Sequence, residues 1–180
     1  MAEQVAKPSG IDALQPDPRP GIPTQLQASF LLWLLAVAAG LFETALAVVD
    51  ATSGTTGAAA EVAVGVAVRL LAFTGLVFLA TRLRQGKNWA RVALTVLYGV
   101  LGTASLVLGP VTWLAEGGSP ADAVAGADLG SVLFAASRVV HVAAVVAAVV
   151  LMFHPAANAY IRATTGGADS AGSPAGRTPR

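Results

Sequence analysis

Apolar residues gather into four long blocks along the chain, at about 30–49, 62–83, 89–108 and 131–153, with polar or glycine-rich links between them. Crossing about 30 Å of hydrocarbon takes roughly 20 residues of helix, so each block is long enough to span a bilayer. The pattern predicts an all-α fold: a polytopic membrane protein with four transmembrane helices in an up-down bundle, occupying residues 29–162. Residues 1–28 contain Pro8, Pro16, Pro18, Pro20 and Pro23 and few large apolar side chains, and residues 163–180 are rich in Gly, Ser, Thr, Ala and Pro. Neither stretch has the pattern of a helix or the apolar surface for a core, so both are expected to be disordered tails. The link at 51–60 is short and built of small residues, while the one at 111–130 is longer and punctuated by Gly117, Gly118, Pro120, Gly126 and Gly130.

Composition supports the membrane class. Of 180 residues, 55% are hydrophobic and 12% charged, about half the charged share of a soluble domain. The absence of cysteine excludes disulfides, thiolate nucleophiles and iron–sulfur clusters, and argues against structural zinc. A formal net charge of +1 hides a strong asymmetry. The link between the second and third blocks carries Arg82, Arg84, Lys87 and Arg91, whereas the other two links carry acidic residues and no Lys or Arg. Lys/Arg excess marks the cytoplasmic side, which places the basic link there and, with four spans, both termini as well. Lys7, Arg19 and Arg162 agree with that orientation, and Trp89, Tyr160 and Trp113 fall at the expected interfaces. The predicted location is the plasma membrane, multi-pass. Ala45-Leu46-Ala47 has the spacing of a signal-peptidase site, but a long proline-rich segment precedes the apolar run. The first block is therefore read as a retained span.

The candidate chemistry lies inside the spans. Arg138 is seven residues below Ser131, with His141 one helical turn further in; Arg69 is eight residues below Glu61; Glu43, on a span running the other way, is seven residues below Asp50. At 1.5 Å per residue, these charges lie about 10–12 Å under the outer boundary. Glu43 shares a stripe with Ala36, Gly40, Ala47 and Asp50, and small residues on a stripe let helices approach closely, so Glu43 should face the bundle interior. An unpaired charge at that depth costs about 2.5–3.5 kcal/mol even on lenient insertion scales, so Glu43 is expected to pair with Arg69, Arg138 or both. The polar cluster Glu43, Asp50, Arg69, Arg138 and His141 is then either an ionic lock that sets helix register or a site for a ligand, ion or proton. Two arginines against one glutamate leave surplus positive charge for an anion, a lipid phosphate or a partner's acid.

Other signals are weaker. Ser137 and His141 have i, i+4 spacing, but no oxyanion-hole element or third group accompanies them. His141 and His154 lie thirteen residues, about 20 Å, apart along one helix, too far to share a metal. No phosphate-binding loop is present, and no cofactor is expected. Arg82, Arg84, Lys87 and Arg91 suit an orienting turn, with contacts to anionic lipid headgroups as the functional alternative and nucleic acid disfavoured.

The stretches RLRQGKNWARV, closing the second span, and LMFHPAANAYIR, closing the last, resemble signatures of small uncharacterised four-span membrane proteins of high-GC Gram-positive bacteria, over about residues 28–162. That likeness implies four spans and carries no activity. A glutamate in the first of four spans is also similar to the small multidrug-resistance transporters, which would make Glu43 the proton-coupled acid. The chain departs from that family in its arginines at the depth of the acid, its long tails and a charge bias opposed to dual topology. Together these readings predict a non-enzymatic accessory subunit, with the bilayer and another membrane protein or a second copy as partners. The alternative is a small transporter moving a proton or small anionic solute through the polar pocket.

Overall fold

In the computed structural model, residues 21–53 and 59–170 are described. Helix accounts for 89% of the structure, with no strand among the described residues. Four helices are long and apolar enough to cross a membrane, matching the four blocks in order.

Helix α1 (Thr24–Ser53) starts just after Pro23, whose carbonyl accepts from the amides of Leu26 and Gln27 at 3.0 and 3.1 Å. The predicted tail boundary at residue 28 is thus corrected: residues 24–28 are helical and Leu26 is fully buried. A proline ahead of the first turn removes no helical hydrogen bond, and an apolar residue one turn into the helix finds the core. Helix α2 (Ala59–Arg84) is joined to α3 (Asn88–Leu94) by a tight turn at Gly86, whose φ of 76° lies in the left-handed region open to glycine.

The third long helix, Asn88–Ala115, exceeds the predicted block at its C-terminal end and is not uniform. After α3 it passes through a π-helical segment, Thr95–Gly102, into α4 (Thr103–Ala115), which contains Pro110. The following link holds a short helix, α5 (Pro120–Ala125), and leads to α6 (Leu129–Met152). Asp128 caps α6 by accepting from the Ser131 amide at 2.8 Å. Helix α7 (Pro155–Ser170) carries helical backbone past residue 163, where the tail was predicted to begin; Ala157 and Ile161 on its apolar face are buried, which anchors it to the bundle. The tail segments 1–20 and 171–180 lie outside the described residues.

Helices α1 and α6 make the most extensive contact. They run antiparallel, since Ser29 meets Ala148 at one end and Glu43 meets Arg138 toward the other. Small residues line the seam: Ala36, Ala39, Gly40, Ala144 and Ala148 are all buried. Gly40 also admits α2, because a Cβ there would sit 2.7 Å from the Phe73 ring. The core is concentrated at the end of the bundle that holds the α2–α3 turn and α7, around Leu26, Trp33, Leu83, Leu94 and Met152. At the other end the first half of α2, nearly all of α4 and the first turns of α6 are exposed. The helices are packed shut at one end and part from each other at the other.

Candidate functional site

Where the packed end gives way to the open one, Glu43 is held at 7% exposure. Its stripe faces α6, and the small residues beneath it bring that helix close enough for both carboxylate oxygens to be used. Arg138 Nη2 lies 3.1 Å from Oε2, and His141 Nδ1 lies 3.2 Å from Oε1. Arg138 and His141 are three residues apart on α6, so one helical face presents both.

Arg138 has a second anchor that the sequence reading missed. Its Nη1 donates to the Leu106 carbonyl of α4 at 3.2 Å. In an α-helix that carbonyl would accept from the amide four residues on, which here is Pro110, and proline has no N–H. Pro110 therefore frees an acceptor inside an apolar helix, and the guanidinium takes it while lying 4.7 Å over the Phe134 ring. The signal was legible in principle: a proline inside a span exposes the carbonyl four positions earlier. One donor of the same group, Nε, is buried without a partner, as is the hydroxyl of Thr103.

A cavity of about 430 Å³ opens beside this cluster. Glu43, Arg69, Arg138 and His141 all line it, together with Phe73 and Tyr98. The π-helical segment presents Tyr98 here; its hydroxyl donates to the Ala72 carbonyl at 2.7 Å and its ring meets Trp33 edge-on. The charges expected at a common level, Glu43, Arg69 and Arg138, line one cavity. The pairing is narrower than the alternatives allowed: Glu43 takes Arg138 and not Arg69. Arg69 is exposed, and its Nη1 only reaches back 3.5 Å to the Gly65 carbonyl of its own helix. Asp50 does not join the cluster. It lines a separate cavity of about 590 Å³ with Asp128 and Ser131, because it sits two turns beyond Glu43, nearer the helix end.

Ser137 and His141 are not brought together as nucleophile and base, since Ser137 Oγ donates to the Ala39 carbonyl at 3.3 Å while His141 faces Glu43. His154 is remote, exposed, and accepts from the Ala156 amide at the start of α7. In the basic link, the guanidinium groups lie on aromatic rings: Arg82 on Phe78, Arg84 on Phe30 and Arg91 on Phe153, at 5.0, 4.6 and 4.6 Å. Arg91 also bonds Asn158 of α7, while Lys87 is exposed at the turn. These arginines tie α7 and α1 to the α2–α3 turn and are more than a solvated loop. No protein-family model, curated protein or solved structure matches the chain.

Proposed function

We propose that the chain is a four-span integral protein of the plasma membrane that binds an anionic ligand in the cavity beside Glu43. Of the two readings left open by the sequence, the solute site is the better supported, and one observation carries it. Once Glu43 has paired with Arg138, the cavity wall retains Arg69 with no acidic partner, so two guanidinium groups stand against one carboxylate. An anion would supply the missing counter-charge through charge-assisted hydrogen bonds. The basic turn and α7 would face the cytoplasm, leaving the open end with the cavity in the outer half of the bilayer.

The test is thermal unfolding of the purified full chain in a neutral detergent, with a series of anions from inorganic phosphate to octanoate at matched ionic strength. At least one should raise the midpoint, and Arg69→Gln should reduce that rise. A series in which no member does so would remove the proposal. The accessory-subunit reading has its own support in the third long helix, which is exposed along most of its length. It would be favoured by stoichiometric co-purification of another membrane protein and no anion response.

A further inference from the structure

The anionic cavity does not stand alone. A second cavity, about 840 Å³ and almost wholly apolar, lies between α4 and α6 and is walled by Val107, Pro110, Val139, Val142 and Val146. The two share Leu106 and Arg138, so one arginine side chain forms part of both walls. The groove follows α6 from Arg138 to Leu151, thirteen residues or about 20 Å of helix. On α6, the small side chains of Ala143 and Ala147 line it and leave it room.

We infer that the ligand is an acidic amphiphile with one long hydrocarbon chain, its carboxylate or phosphate head against Arg138 and Arg69 and its tail in the α4–α6 groove. This rests on the anionic reading of the cavity and specifies the class of molecule. Charge complementarity selects the head: the polar wall has two arginines against one glutamate, so an acid is matched and a choline-type head would bring a further cation. Geometry selects the tail, because the groove begins at Arg138, which also lines the polar cavity, and runs away from it along an apolar face of α6. Any lipid chain can lie in an apolar groove; the distinguishing feature here is a head drawn about 13 Å below the start of α6, nine residues along from Leu129. At that depth a charged head is stable only on a counter-charge, and Arg69, which Glu43 leaves without an acidic partner, supplies it beside Arg138.

The experiment uses the full chain in phosphatidylcholine nanodiscs and radiolabelled hexadecanoate, with empty discs as the baseline for bilayer partitioning. Binding should be saturable. Hexadecyl phosphate should compete comparably, whereas hexadecanol, butanoate and inorganic phosphate should each compete at least about tenfold more weakly. Arg69→Gln, at an exposed and unpaired position, should weaken hexadecanoate about tenfold. Ala143→Leu with Ala147→Leu, which fills the groove, should weaken hexadecanoate but not butanoate. If butanoate and phosphate bind as well as hexadecanoate and the groove variant changes nothing, the amphiphile is overturned while the anionic site stands. Competition by hexadecanol equal to that of hexadecanoate would overturn the recognition of the head, and with it the anionic site. Absence of saturable binding by every probe would overturn both.

Discussion

At the scale of single residues, Glu43 decides how the cluster is held together. Its side chain is 8% exposed and that of Arg138 28%, so both ions have lost most of their solvent and each depends on the other. Breaking such a pair from one side costs about 3–5 kcal/mol, because the remaining charge stays buried. Arg138→Leu should be the more damaging single change, since it strands Glu43 and also the Leu106 carbonyl that Pro110 leaves without an amide. Glu43→Gln removes the counter-charge but leaves Arg138 its carbonyl and its place over Phe134. The double variant should recover part of the loss, and Arg69→Leu should cost less than about 1 kcal/mol because that side chain is exposed. Thermal unfolding in detergent across the cycle measures the coupling; strict additivity of the two single effects would mean that the pair contributes nothing. That Glu43 would find a cation was legible in the sequence, because a carboxylate inside a helix apolar enough to cross a membrane has few other ways to be stabilised. Which arginine it finds was not. Arg69 and Arg138 lie at similar depth, and only the rotation of α2 about its axis, set where Gly40 admits Phe73, turns Arg69 away.

At the scale of elements, helix ends were set by features that hydropathy does not register. Asp128 stands in extended backbone at the head of α6, and hydrogen bonds from the Ser131 hydroxyl and amide hold its carboxyl below the usual 3.8. A carboxylate whose folded-state value is lowered contributes stability above its ordinary range and loses it as the pH falls through the lowered value. The first turn of α6 should therefore loosen on acidification below about pH 4. An NMR titration of the Ser131 amide checks this: the wild type should titrate in that window, Asp128→Asn should keep a cap but show no transition, and Asp128→Ala should lose the cap at every pH. A titration in Asp128→Asn identical to the wild type would assign the effect to another group. The same lesson applies to the third long helix. Its apolar block predicted one span, yet the chain there is α, π and then α again around Pro110, and this irregularity places Tyr98 and the Leu106 carbonyl at the cavity.

At the scale of the whole molecule, the core and the charges are segregated along one axis. Trp33, Leu83, Leu94 and Met152 close the end near the basic turn, where Arg84 and Arg91 lie on Phe30 and Phe153 and so brace the junction with α7. The opposite end has little shared core, so the cavity beside Glu43 lies where the helices part, while the apolar groove runs along α6 back toward the packed end. For an oriented bilayer, the proposed topology makes a direct prediction. Reporters inserted after Gln85 should read as cytoplasmic and after Gly118 as external, because the Lys/Arg excess lies wholly on the Gln85 side of the spans. A cytoplasmic signal at Gly118 would invert the molecule and move the cavity to the inner leaflet.

The number of long helices, their order, the basic link and the similar distances of Glu43, Arg69 and Arg138 from the ends of their apolar blocks followed from the chain by itself, because the hydropathy of a helix depends on which residues it holds and where they lie along it. The tertiary structure alone decided how those helices are turned toward one another. Rotation and crossing are settled by close packing of small residues such as Ala36, Gly40 and Ala148, and they determine that Arg138 meets both Glu43 and a carbonyl freed by Pro110 while Arg69 faces the cavity unpaired. The reach of α1 back to Thr24 and of α7 on to Ser170 belongs to the same category. For α1 the sequence marks a proline-rich approach, and for α7 a run of small polar residues; buried positions for Leu26 and Ile161 exist only once the other helices have assembled.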